Sequence, residues 1–236
     1  MHDHAHGRRH IEALIRSADL SGLLRLAESF HGHLCPFVSL GVKAGQYAMA
    51  TLDRPNTGME EIVAIVECNN CFTDGIQVVT GCTFGNNALI FRDLGKTAVT
   101  VARREDGQAV RLLVRPDYRE KMLARYPTAA PLFQKVVVQR QGSPEEQHRF
   151  LHMWEAIGRR ELQTPLEEQF IIQNLQITLP EYARIYESIV CSRCGEAFMA
   201  PRAVGSPQRP LCRTCGQAEY YCLTGQGIAL VSGGQS

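Results

Sequence analysis

The chain reads as an α+β protein: a mixed or antiparallel sheet core with helices, plus a small cysteine-rich C-terminal domain. Three observations carry that reading. Helical periodicities outnumber β-rich runs. Two of the β-rich runs flank a hairpin turn instead of alternating with helices as βαβ units. From residue 191 on, Gly, Pro and Cys replace apolar periodicity. The expected organisation is a core domain over residues 1–190 and a small domain over 191–236.

Residues 10–30 place Ile11, Leu14, Ile15, Leu23, Leu24, Leu26, Ala27 and Phe30 at spacings of three and four. This is a helical face that Ser21-Gly22 can interrupt. Pro36 suits the first position of a second helix running to about Thr51. The small residues Gly41, Ala44, Gly45 and Ala48 would let another element approach it closely, and the run DRPNTG ends it. Residues 62–67 (IVAIVE) read as a strand, and residues 74–80 as a short helix stopped by Gly81. Residues 97–102 and 110–114 are β-rich around Glu105-Asp106-Gly107, a hairpin turn. Ser143 and Glu146 have capping-box spacing, so a helix is expected from there to about Arg160. Residues 170–179 alternate like a strand, and Pro180 opens a further helical turn. Met49, Met59 and Trp154 read as packing residues, and residues 116–165 carry no motif.

Lys and Arg number 25 against 24 Asp and Glu, so no net field draws the chain to nucleic acid or an anionic membrane. Hydrophobic residues at 44% and charged residues at 21% exclude a disordered or fibrous chain. A body of about 190 residues buries around 70% of its unfolded surface and needs no metal or disulfide to hold its core. The nine cysteines therefore require another reason. No run approaches the ~18 apolar residues of a membrane span, and the N-terminus lacks the apolar core of a signal peptide. An odd cysteine count with CxxC pairs at 68/71, 191/194 and 212/215 suits a reducing compartment, so a cytoplasmic location is expected.

Cys191-Ser192-Arg193-Cys194 and Cys212-Arg213-Thr214-Cys215 are two CxxC knuckles at a distance that gives four soft ligands to one structural zinc. Gly195 and Gly216 follow them and permit tight turns. So short a segment folds only with its metal. Its four arginines and two glutamates leave +2, which a tetrathiolate zinc cancels. Nucleic-acid binding is therefore not expected, and packing or protein contact is. Cys222 receives no role. The His2, His4 and His6 run reads as a mobile terminus that can pick up metal adventitiously.

His31-Gly32-His33-Leu34-Cys35-Pro36 is dense in metal-capable side chains. Were residues 31–35 extended, His31, His33 and Cys35 would share one face, with Cys35 at a helix N-terminus that favours thiolate. The alternative is a capping turn with hydrogen-bonded histidines. Past the strand, Cys71, Asp74 and Gln77 share a helical face. Beyond them Gly81 and Gly85 bracket a polar loop holding Cys82 and Thr83, whose backbone can approach a ligand.

The segments HGHLCPF, CFTDGIQVVTGCTFGNN and GKTA, with the tail CSRCGE…LCRTC, resemble the FmdE family of formylmethanofuran dehydrogenase proteins. The resemblance spans nearly the whole length. It implies an α+β core with a treble-clef zinc finger, a homodimer, and an association with molybdenum- or tungsten-dependent formylmethanofuran and formate metabolism. Family motif positions fall on His31, His33, Cys35, Cys71, Asp74, Gln77, Gly81, Cys82 and Gly85. Cys68 stands where the family more often has another residue, and Gly75 where it has Ala.

These residues frame three functions. In the first, an accessory or subunit-like protein of a molybdenum or tungsten oxidoreductase holds a second metal ion in the core through His33, Cys35, Cys71 and Cys82, beside a loop at Gly81, Thr83 and Gly85 for a cofactor. In the second, a stand-alone cysteine-dependent redox or transferase enzyme uses Cys71 or Cys82 as nucleophile and His31 or His33 as base, with Asp74 orienting them. The third is an interaction or nucleic-acid module read through the zinc finger.

Overall fold

In the computed structural model, which describes residues 7–233, the first helical run divides into α1 (Arg9–Arg16) and α2 (Leu20–His31). The break falls at residues 17–19, ahead of the expected Ser21-Gly22. Ala18 turns left-handed at φ 53°, and the Asp19 carboxylate caps α2 by accepting from the Gly22 N–H at 2.8 Å. Gly22 lies inside α2. Helix α3 (Pro36–Leu52) begins at its proline as expected, and strand β1 (Ile62–Val66) is buried along its length. Helix α4 (Cys71–Thr80) starts earlier than expected because Asn70 caps it, accepting from the Phe72 N–H at 3.1 Å. Gly81, at φ +74°, ends it.

Strands β2 (Leu89–Phe91), β3 (Ala98–Arg103), β4 (Gln108–Val114) and β5 (Phe170–Gln176) complete a five-stranded sheet in the order β2-β1-β3-β4-β5. The β1–β2 pair is parallel and the others antiparallel, so the sheet is mixed. Gly107 makes the β3–β4 turn at φ +74°. Between β4 and β5 lie α5 (Tyr118–Arg125), α6 (Ala129–Phe133), a π-helical turn (Gln134–Val138), α7 (Pro144–Glu161) and α8 (Leu166–Gln169). The capping box of Ser143 and Glu146 that opens α7 is formed on both sides.

The small-residue stripe of α3 packs on α4. A Cβ on Gly75 of α4 would stand 2.6 Å from the Val38 carbonyl oxygen, and one on Gly45 of α3 would stand 2.9 Å from Val79 Cβ. Contact this close fixes the two helix N-termini side by side. Lys43 in the middle of α3 is buried, and its ammonium donates to the Glu161 carbonyl at 3.2 Å, to the Thr164 carbonyl and to the Gln169 side-chain oxygen. Gln169 in turn donates to the Glu161 carboxylate at 2.8 Å, tying α3 to α7 and α8. Arg8 donates to the Val78 carbonyl at 3.1 Å and to the Val79 carbonyl, satisfying the C-terminal end of α4.

Met49 and Trp154 are core residues as expected. Met59 is not: it is 76% exposed, in the loop before β1. No helical turn follows Pro180. Tyr182, Ile185 and Tyr186 there are exposed, so a turn would have no core to pack on. Among the described residues no helix is long and apolar enough to cross a membrane.

The chain divides into two units, Met1–Pro180 and Glu181–Ser236. The boundary precedes residue 191 because β6 (Ser188–Val190) pairs with β7 (Ala197–Met199) and belongs with the tail. The second unit continues through a 3-10 turn (Ala200–Arg202), the hairpin of β8 (Val204–Ser206) and β9 (Arg209–Leu211), and the hairpin of β10 (Tyr220–Thr224) and β11 (Gly227–Val231). His2, His4 and His6 lie outside the described residues.

Candidate metal centre

Three helix ends meet at one point. His31 is the last residue of α2, and Gly32, left-handed at φ +88°, closes that helix by returning its N–H to the Glu28 carbonyl at 2.9 Å. Two residues beyond His33, Cys35 becomes the N-cap of α3, its sulfur accepting from the Val38 N–H at 3.5 Å. Cys71 opens α4. Residues 31–35 are thus a capping turn and not an extended segment, and the turn itself gathers the donors. One ligand atom from each of His31, His33, Cys35 and Cys71 lies within 4.8 Å of the others. Tetrahedral donors around zinc stand roughly 3.4–3.8 Å apart, so small side-chain movements would close the set on one soft ion. The two imidazole rings lie 4.4 Å apart at 43°.

Asp74, one turn into α4, reaches back to His31, with Nδ1 and Oδ2 2.6 Å apart. Gln77 fixes that carboxylate by donating to its other oxygen at 3.0 Å. With Nδ1 committed, the free nitrogen of His31 is Nε2, which is buried and has no hydrogen-bond partner. A buried polar atom left alone is costly. An imidazole held by a carboxylate, with its other nitrogen bare among sulfurs, is the geometry of a metal-ligating histidine. The donors present therefore fit a metal.

The two core sulfurs share a proton unequally. The Cys35 thiol's hydrogen bond holds Cys71 down to about 6, against the effect of burial and with help from neighbouring His31. That hydrogen bond and burial push the Cys35 thiol far above the usual thiol range. Burial, then the charge of His31, lowers His33. Both cysteines sit at helix N-termini, where anionic sulfur is favoured.

In the tail, Cys191, Cys194, Cys212 and Cys215 form a second cluster, again with ligand atoms within 4.8 Å of one another. The Cys212 N–H donates to the Cys191 sulfur at 3.3 Å, and the Cys215 N–H to the Cys212 sulfur at 3.4 Å. Backbone N–H groups of Cys194 and Cys212 hold the Cys191 thiol down to about 6. Gly195 makes its turn at φ +75°, as expected. Gly216 is required for space instead: a Cβ there would stand 2.0 Å from a Val204 methyl. Four thiolates with backbone donors suit a structural zinc. Where a treble clef carries an α-helix after its second ligand pair, turns lead into the β10–β11 hairpin.

Residues 30–171, more than half of the chain, match the family described as FmdE, molybdenum formylmethanofuran dehydrogenase operon. The chain belongs to the FmdE family. Residues 184–221 match the prokaryotic dksA/traR C4-type zinc finger. A protein of Archaeoglobus fulgidus, described as a probable S-adenosyl-L-methionine-binding protein, is 44% identical over 218 residues, 91% of this chain. The chain spans 57% of that relative's length. Among solved structures, a tungsten formylmethanofuran dehydrogenase FmdE-like protein from Syntrophus aciditrophicus is 21% identical with a TM-score of 0.48, over 84% of this chain and 91% of that one.

Of the residues expected to hold a core metal, the structure brings His33, Cys35 and Cys71 together, with His31 beside them, and leaves Cys82 apart. The reason is the length of α4: Cys71 opens the helix and Cys82 lies past its far end, about 15 Å away at helical rise. The Cys82 sulfur donates to the Ile62 carbonyl at 3.4 Å, and burial pushes its thiol up to about 11. Cys68 is buried beside Thr73, and burial raises its thiol too. The loop after α4 satisfies itself. Asn86 accepts from the Thr83 N–H at 2.9 Å and donates to the Gly81 carbonyl at 2.7 Å. Gly81 and Thr83 line a cavity of about 390 Å³ with Phe30 and Gln77. Gly85 is outside that lining, its nearest neighbour for an added Cβ being the Thr83 hydroxyl at 3.8 Å.

Proposed function

We propose that this FmdE protein is a metal-binding accessory to molybdenum- or tungsten-dependent formylmethanofuran or formate metabolism. It holds a soft ion at His31, His33, Cys35 and Cys71, and a structural zinc at the tail cysteines. The observation that carries the reading is His31, with Asp74 on Nδ1 and a buried, unpartnered Nε2 beside two sulfurs and a second imidazole. A bound ion would supply a positive centre that keeps both sulfurs as thiolates. The chain's own residues do the rest. Asp74 and Gln77 hold His31 in one tautomer, α3 and α4 present the sulfurs at their N-termini, and His33, exposed on the rim, is the donor most readily exchanged for a partner's ligand. Burial graded in this way suits a site that takes up an ion and hands it on.

Partners under this reading are a second copy of the chain, as a homodimer, and subunits of the oxidoreductase; light scattering and co-purification address them. The decisive experiment is elemental analysis of a chain beginning at Gly7, purified without added metal. One metal beyond the tail zinc is expected, and Cys71→Ser removes it. Zinc at the tail alone, unchanged by Cys71→Ser, overturns the proposal.

A second reading rests on the Cys71–His31–Asp74 contacts, which have the order of an activated thiol, base and orienting carboxylate. It makes the chain a stand-alone cysteine-dependent redox or transferase enzyme. For a transferase form, S-adenosyl-L-methionine, which the Archaeoglobus relative is described as binding, is the ligand to titrate first. Iodoacetamide separates the readings: a metal ligand is shielded in the loaded protein, whereas a free nucleophile is alkylated equally with and without metal.

A further inference from the structure

We infer that the groove between α3, α5, α6 and α7 is a binding site for a small organic anion with an aromatic or branched apolar body. A cavity of about 420 Å³ opens there, within the range of small-molecule pockets. Its walls are Phe37 of α3, Met122 of α5, Phe133 of α6 and Trp154 of α7. The rings brace one another. Phe133 lies 5.5 Å from Trp154 at 33°, and Trp154 stacks on Phe150 at 5.2 Å. The pocket is therefore preformed, and a ligand entering it meets little ordering cost.

Charge selects the ligand class. Arg119 stands at the rim, its guanidinium carbon 5.9 Å from the centre of the Phe133 ring. Its neighbours are neutralised: Arg115 and Lys121 pair with Asp117, and Arg125 pairs with Glu161. Among the described residues Arg119 pairs with no carboxylate, so the cation facing the cavity is left for an anion from outside. On the same rim, Gln134 begins the π-helical turn that continues α6, a widened geometry that occurs frequently at functional sites.

The pocket adjoins the core cluster without sharing its donors. Phe37 lies in the first turn of α3, which Cys35 caps. Trp154 is one turn before Gly158, where an added Cβ would stand 3.1 Å from the Cys35 carbonyl oxygen. The inference does not depend on a metal at that cluster, so either can fail alone.

The test uses the chain's single tryptophan, which lines the cavity. The 236-residue chain is titrated with anilinonaphthalene sulfonate and with phenylnaphthylamine, an aromatic body of the same kind without the anion. Saturable quenching of Trp154 fluorescence is expected with both probes, tighter for the sulfonate. Arg119→Gln should weaken the sulfonate about tenfold and leave the neutral probe unchanged. Ala130→Leu, which fills the cavity from α6, should weaken both. Unsaturable quenching, equal affinity for the two probes, or a sulfonate affinity indifferent to Arg119→Gln overturns the assignment. So does quenching that appears only as a dimer dissociates, which would make a second copy the occupant.

Discussion

Gly41 of α3 lies so close to Phe72 of α4 that a Cβ on the glycine would stand 2.1 Å from the Phe72 carbonyl oxygen. No side chain fits that gap, and the contact is backbone, which cannot rotate away. The spacing that brings Cys35 and Cys71 together is thus set by a missing methyl group further along α3, against the residue that follows Cys71 in α4.

Gly41→Ala should therefore act on stability and on the site together. Overpacking of this kind costs about 1–3 kcal/mol, and parting the helices separates the two sulfurs. A lowered melting temperature together with weaker core metal binding is expected. Loss of stability with the core metal retained at full affinity would show that the helix contact does not position the sulfurs.

Asp74→Asn keeps the shape of the side chain and removes the charge that orients His31. Carboxylates in this position are worth about 10–100-fold in metal affinity. Competition with a chelator should show a loss of that size at the core site, with tail zinc untouched and little change in thermal stability.

The metal-free core should show a pH signature. Cys71 keeps its thiolate down to about 6 in the folded chain, against about 8.5 in an unfolded one. Stability from that thiolate is full above the unfolded value and is lost as pH falls through about 6. Cys35 is shifted upward and acts only on the alkaline side. Alkylation of Cys71, followed by mass spectrometry of its peptide, should reach half its maximal rate near pH 6. A midpoint at the ordinary thiol value would show that Cys35 does not share its proton with Cys71.

In the tail, Cys212→Ser removes a zinc ligand and a sulfur that accepts the Cys215 N–H. Structural zinc in short fingers contributes about 10–16 kcal/mol to folding, far more than three small hairpins supply. Rapid proteolysis of residues 181–236, with the core unit left intact, is the expected outcome, and a chelator should reproduce it on the unmodified chain.

The core donors are legible in the sequence because the signal is local: His31, His33 and Cys35 are confined to one turn, and Pro36 announces the helix that Cys35 caps. Cys82 misleads because it is near Cys71 in sequence, while the intervening helix is a rigid rod that holds the two apart. The break at Ala18 is invisible because a left-handed alanine has no residue signature. Helix α5, with the sequence YREKMLAR, hides behind its charges: only Tyr118 and Met122 are fully buried, with Leu123 partly so. Strand β2 is three residues long, too short to show a period.

The bond from Arg8 to the end of α4 has a bearing on how the protein must be handled. A version trimmed to exclude His2, His4 and His6 gives a cleaner elemental count, but the cut has to stop at Gly7. Taking Arg8 as well would strip two carbonyls at one end of the rod whose other end presents Cys71. A sample shortened too far could lose its core ion through fraying at the opposite end of α4 and be misread as never having held one.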